Sequence, residues 1–205
     1  MSPMLYQGTR VLESKRLYLR TYTTDDIDTY YPALMNEEMR RLTGTHTLFT
    51  RDGVARFIEE NAGDSSRIDL LICLQPEEQR MDELSLLENT PHVEHVIGEL
   101  SLMDIDRINR NAHVRIAIFE SSNFGKGYGT EAMEMLLDYA FGNMNLHRIE
   151  LSVYSFNERA IRSYEKLGFC KEGVQREVLY YDYEYHDAIN MSILSREFQQ
   201  RQKRD

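Results

Sequence analysis

Apolar and polar positions along the chain follow two periods, and the switches between them outline the fold. "RLYLRTY" (16–22) alternates residue by residue, as a strand with one buried face does. "TTDDIDTYYPALM" (23–35) opens with hydroxyl and acid residues that suit a helix N-terminus. Pro32 lies inside it and lacks an N–H, which predicts a break or two short helices. "TRDGVARFIEENA" (50–62) is a second amphipathic helix, stopping before Gly63. "RIDLLICLQ" (67–75) reads as a strand, and the polar, acidic stretch 76–92 as a long surface loop between paired strands. "VIGELSLMDI" (96–105) and "NAHVRIAIF" (111–119) form a hairpin-like pair.

Over 128–142 the spacing changes to helical, with Ala132, Met135, Leu136, Tyr139 and Ala140 on one stripe. A strand at 147–155 follows, then a helix at 157–168 that Gly168 stops. Two strands, 172–181 and 183–194, finish the chain. The order β-α-α-β-β-β-α-β-α-β-β predicts an α/β (α+β mixed) fold, a mixed sheet with helices on its faces.

Composition narrows this picture. The 205 residues, with no repeat and no Pro/Gly linker, fit one domain over 1–205. The apolar runs are too short to span a membrane, and the start lacks a basic-then-apolar leader pattern, so a cytoplasmic protein is expected. Cys73 and Cys170 have no partners at metal-ligand spacing; both read as reduced core residues, and no metal is expected. A net charge of −10 argues against a nucleic-acid binder and is compatible with a cationic partner. Arg40, Arg41 and the tail "RQKRD" are too short a basic patch to change that.

The candidate chemistry starts at "NFGKGYGTEAM" (123–133), where three of 11 glycines fall within five residues, directly before a helix. Glycine allows close backbone approach, and a helix N-terminus offers free N–H groups and a positive dipole end, so a phosphate fits there. The P-loop pattern is absent. Gly127, Gly129 and Ala132 match the dinucleotide pattern, with Glu150 at a ribose-contact distance. That motif opens directly off a strand, however, and here "ESSNFGK" intervenes with too little chain after it. Taken alone, the stretch also fits a glycine-rich turn with no ligand.

The downstream segment "RIELSVYSFNERAIRSYEKLGF" (148–169) resembles the strand–helix signature of the GNAT superfamily of acyl-CoA N-acyltransferases. "FGKGYGTEAM" is similar to that superfamily's pyrophosphate loop, "RLYLRTYTTDD" to its first strand and helix start, and "YEYHDAINMSIL" to the last strand of its RimJ/RimL-like and polyamine acetyltransferase branch. The resemblance covers about 15–197. It implies a central mixed, mostly antiparallel sheet, splayed to form a cofactor slot. It also implies that Gly125, Gly127 and Gly129 wrap the pyrophosphate of acetyl-CoA, helped by Lys126, Tyr128 and the hydroxyl of Thr130. Phe124 stands where the family usually has Gln or Arg, and aromatics also occur there in relatives of this branch. The backbone at Ile118 and Phe119 would pair with the pantetheine amides. Asn157 would contact the cofactor, cap its helix, or both.

Acetyl transfer to an amine needs a neutral nucleophile, a polarised carbonyl and a proton for the leaving thiolate. The resemblance assigns the last role to Tyr164. A phenol near ~10 faces a gap of about 2 kcal/mol to a thiol near ~8.5. His113 falls where related enzymes carry Glu; Glu99 and a water chain are the other candidate bases. Alternation puts His113, Arg115 and Ala117 on one strand face. An imidazole near ~6.5 takes a proton from an α-amine for about 2 kcal/mol and from an alkylamine for about 5 kcal/mol, which favours a peptide N-terminus. The acidic residues Asp25, Asp26, Asp28, Glu37 and Glu38 favour a polyamine such as spermidine. The tyrosines of "LYYDYEYHD" (179–187) suit an acceptor, a plain strand face or a contact in a homo-oligomer. No cysteine sits in a reactive setting, so direct attack in a ternary complex is expected. A regulatory module that binds CoA or a polyamine without catalysis is the rival reading.

Overall fold

A computed structural model of the protein describes residues 8–76 and 94–203. Except for residue 76, the expected surface loop at 76–92 lies outside the described residues. Eight strands form one sheet: β1 (Arg10–Glu13), β2 (Leu17–Thr21), β3 (Ile68–Leu74), β4 (Val96–Asp106), β5 (Asn111–Ile118), β6 (Arg148–Tyr154), β7 (Cys170–Tyr181) and β8 (Glu184–Leu194). Their order across the sheet is β1-β2-β3-β4-β5-β6-β8-β7. Every neighbouring pair is antiparallel except β5 and β6.

Alternation on these strands makes two cores. Leu17, Leu19, Leu70, Ile72, Leu100 and Leu102 face α4 (Tyr128–Asp138) and α5 (Glu158–Leu167). Tyr18, Tyr22, Leu71, Cys73, Ala117 and Phe119 face the opposite side, beneath α1 (Ile27–Met35), α2 (Glu37–Thr43) and α3 (Arg51–Asn61). Among the described residues, no helix is long and apolar enough to cross a membrane.

The structure departs from the sequence expectations at several points. Pro32 sits inside α1 without ending it, and the chain breaks after Met35, where Asn36 turns extended. The Asn36 side chain then accepts from Met39 N at 2.9 Å and starts α2. The helix expected over 128–142 ends its α-helical part at Asp138 and closes with a wider π turn, Tyr139–Asn143. Strand β1 and a C-terminal helix α6 (Ser195–Gln202) are additional. α6 buries one aromatic, Phe198, whose ring centroid lies 5.4 Å from that of Phe141, and Arg201 ties it to Leu167 O and Glu134. Cys73 is buried as expected, but Cys170 is exposed, because it opens the edge strand β7 on its solvent face.

The feature that makes a site is a gap within the sheet. β5 and β6 pair only at Asn111–Arg148, Ala112–Ile149 and His113–Glu150, then diverge, although both strands run on.

Candidate active site

The gap between β5 and β6 opens into a cleft of about 520 Å³, lined by β5, β6, α5, the glycine turn and the end of α2. The backbone on its β5 side is poised for pairing. Phe119 N donates to Ile97 O of β4 at 2.9 Å, so by alternation the N–H and C=O groups of Ile116 and Ile118 turn towards the gap. Ile118 therefore turns its backbone towards the gap. The Phe119 amide is used by β4, and its ring is buried against Tyr30 at 5.9 Å.

The glycines have separable reasons. Gly125 and Gly127 take φ of +76° and +86°, which L side chains rarely adopt, and Gly127 caps α4. Gly129 is helical, but a Cβ there would lie 3.6 Å from the Ile118 side chain, narrowing the space between α4 and β5. The first intrahelical bond runs from Glu131 N to Gly127 O at 3.0 Å, so the amides of Gly129 and Thr130 have no helical acceptor. Loop and helix end thus form the anion cradle that a pyrophosphate fits.

A latch not visible in the sequence fastens this loop. Arg16, between β1 and β2, grips Glu131 of α4 and donates to Lys126 O at 3.0 Å, while Ser14 Oγ donates to Glu131 Oε1 at 2.7 Å. Lys126 itself does not line the cleft; its Nζ lies 5.9 Å from the Tyr128 ring centroid. The Thr130 hydroxyl is bonded to Ser163 Oγ at 2.7 Å, tying α4 to α5. Asn157 caps α5 through Oδ1, which accepts from Ala160 N at 3.2 Å, and it also lines the cleft. Phe124 carries the Arg159 guanidinium 3.5 Å above its ring centroid, so a cation occupies the neighbourhood of the usual Gln or Arg.

Tyr164 projects from α5 into the cleft, its ring 5.9 Å from that of Phe169. Its hydroxyl has no hydrogen-bond partner among the described residues, and burial pushes the phenol up to about 12. His113 is half-buried and lines the cleft at the last paired position of β5. Glu99 does not line it. The Glu99 carboxylate lies beneath α1, where Oε2 accepts from Tyr22 at 3.0 Å and Tyr30 at 2.5 Å and Oε1 faces Arg115 at 3.4 Å. Burial, then the neighbouring Glu99, raises both of those phenols above their usual range.

Two of the acidic residues expected near an acceptor are engaged elsewhere. Asp26 is buried against Arg20, 2.6 Å away, and Asp28 is paired with Arg51. Glu37 and Glu38 open onto a separate depression with Asp182. The exposed tyrosines Tyr180, Tyr183 and Tyr185 of the β7–β8 hairpin stay outside the cleft. Tyr154 instead walls it, packed so closely under Gly44 that a Cβ there would meet its hydroxyl at 2.4 Å.

A parallel strand pair splayed over a glycine turn, a helix N-terminus and a half-buried tyrosine define an acyl-CoA-dependent N-acyltransferase. The acetyltransferase (GNAT) domain model matches residues 16–170, and the chain belongs to that family as an acetyl-CoA-dependent N-acetyltransferase. It is 28% identical over 185 residues to the SPbeta prophage-derived uncharacterized N-acetyltransferase YokL of Bacillus subtilis, covering 90% of this chain and 93% of that one. It is 35% identical over 101 residues to the spermidine N(1)-acetyltransferase of Escherichia coli, a match spanning 49% of this chain and 54% of the relative. The crystal structure of spermidine N-acetyltransferase from Vibrio cholerae in complex with CoA and spermine superposes with a TM-score of 0.77 at 23% identity, over 91% of this chain and 99% of that one.

Proposed function

We propose that the chain acetylates a primary amine by direct attack within a ternary complex, with acetyl-CoA laid along the free edge of β5. The observation that carries this reading is the three-residue pairing of β5 with β6, which leaves the gap-facing backbone of Ile116 and Ile118 without a strand partner among the described residues. Amides of a pantetheine arm satisfy such an edge as an added strand would. The turn at Gly125 and Gly127, with the first-turn amides of Gly129 and Thr130, would hold the pyrophosphate. Arg159 would add a cation beside it.

Tyr164 would donate to the departing thiolate sulfur. Its raised pKa keeps the proton in place at neutral pH, ready to be given. His113 is the better base of the two candidates, because it lines the cleft while both Glu99 oxygens are taken. The acceptor enters from the face shared by His113 and Arg115, between β6 and α2. The closeness to spermidine enzymes makes polyamines one acceptor class to test, and peptide N-termini the other.

The test is thiol release from acetyl-CoA by the purified protein, with spermidine, spermine, aminoglycosides and short peptides as acceptors. Turnover with one class supports the reading. Tight acetyl-CoA binding with no turnover on any of them favours the regulatory module instead.

A further inference from the structure

We propose that the acceptor is an amine that itself carries a carboxylate, and that Arg115 binds that carboxylate. The inference rests on the acetyltransferase reading above. Its ground is the charge of the cleft. Arg115, Arg159, Arg162 and Lys166 line it, and among the described residues no Asp or Glu does, although the chain carries a net charge of −10.

Three of these cations belong to α5, on the side of the glycine turn, where the phosphates of the co-substrate account for them. Arg162 is also paired with Glu158 at 2.9 Å on the surface. Arg115 stands apart. It lies on β5, two residues beyond His113 on the same strand face, opposite the core that packs on α4 and α5. Its side chain is 45% exposed, while its partner Glu99 is 6% exposed and lies behind it. The Tyr22 and Tyr30 hydroxyls occupy the other Glu99 oxygen, so this carboxylate is held away from any acceptor. Glu99 therefore anchors one side of the guanidinium and leaves its remaining N–H donors facing the cleft. A planar donor fork beside the candidate base suits a carboxylate close to the reacting amine.

A polycation meets the reverse arrangement. The second and third ammonium groups of spermidine would approach Arg115 with no cleft carboxylate to receive them. Asp26 and Asp28 do not alter this, because Arg20 and Arg51 hold them, and Glu37 and Glu38 line the separate depression with Asp182 rather than the cleft. The shared ligand chemistry, an amine with a nearby carboxylate, has two sources: a free acidic amino acid, or a peptide N-terminus followed by an acidic residue.

The experiment measures kcat/KM for four acceptors at saturating acetyl-CoA: free glutamate, a peptide beginning Ser-Glu, the same peptide beginning Ser-Gln, and spermidine. The expected result is a preference of about tenfold or more for glutamate or the Ser-Glu peptide over both other acceptors. Which of the two leads assigns the source. In Arg115→Gln the ratio of acidic to neutral peptide should fall to about one, and Arg115→Lys should recover part of it. A preference for spermidine, or an unchanged ratio in Arg115→Gln, overturns the acceptor assignment and leaves the acetyltransferase reading standing. Absence of both turnover and acetyl-CoA binding overturns the two together.

Discussion

Replacing Tyr164 with Phe removes one oxygen from the cleft and leaves the ring, including its packing 5.9 Å from Phe169. Because the hydroxyl has no partner among the described residues, folding stability should change by less than about 1 kcal/mol. Catalysis should change far more. With the phenol pushed up to about 12 and a thiol near ~8.5, complete transfer of its proton to the freed thiolate is uphill by about 5 kcal/mol. Burial thus enlarges the gap of about 2 kcal/mol that an ordinary phenol would face. A cost of that size favours transfer in step with thiolate departure, so that no bare tyrosinate accumulates. Losing such a donor costs about 10²–10³ in turnover. The assay is kcat from thiol release at saturating substrates, with acetyl-CoA affinity by calorimetry and melting temperature as controls. The pH profile supplies a second check. A raised phenol pKa means that the donor form persists as pH rises and is lost only as pH approaches about 12. Wild-type activity should therefore show no alkaline loss from Tyr164 up to pH ~10. A kcat within twofold of wild type in Tyr164→Phe would refute the role. A wild-type alkaline limb near ~10 that the variant lacks would keep the role and refute the raised pKa.

Gly127→Ala forces an L side chain to φ +86°, a cost of about 1–2 kcal/mol, with no added clash because the nearest atom would be 3.5 Å away. Melting temperature should fall and acetyl-CoA should bind more weakly in calorimetry. Arg16→Met should raise the KM for acetyl-CoA several-fold with little change in kcat, since it removes the guanidinium's bonds to Lys126 O and Glu131 without touching the reacting groups. Asp26→Asn should destabilise the protein by about 3 kcal/mol at neutral pH, read by urea unfolding, because Arg20 stays buried with Glu94 as its remaining carboxylate partner. Bonds from Arg20 and Thr23 outweigh burial and lower the Asp26 pKa. Its stabilisation is therefore present above the unfolded value of ~3.9 and lost as pH falls through the lower folded value, where wild type and variant should converge.

What the sequence revealed was local. The glycine turn, the Asn157 cap and the Gly168 stop are each set by a few neighbouring residues, and each stands where its spacing put it. Alternation also placed His113, Arg115 and Ala117 on one face, with Ala117 in one core and Val114 in the other. What stayed hidden was which partner each charge takes. Arg16 and Glu131 are 115 residues apart, and no spacing rule joins them. Asp26 and Asp28 look like polyamine ligands only while Arg20 and Arg51 are not in view. Strand β1 has four residues, too few for its alternation to register, and α6 buries only Phe198 in a polar tail. Pro32 misled for a physical reason: its missing donor costs one bond, while the helix around it is kept by the burial of Tyr30, Ala33 and Leu34.

The gap between β5 and β6 is stable because each strand is secured on its far side. β5 pairs with β4 up to Ile118 and Gly98, and β6 pairs with β8 up to Tyr154 and Ala188. Gly98 lets β4 approach so closely that a Cβ there would meet Ala117 O at 2.5 Å. Two secured strands that part after three residues leave facing edges with unmet backbone groups in the middle of the sheet. An open edge normally invites another chain. Here α2, α5 and the glycine turn wall the space, so what enters must be narrow, extended and amide-bearing along β5, and anionic where it reaches the turn. On the proposed reading, backbone geometry selects the co-substrate, and side chains are left to select the acceptor. On the same reading, that division lets a chain keep the turn, the slot and the tyrosine of its family while Arg115, anchored by the buried Glu99, stands where the amine would arrive.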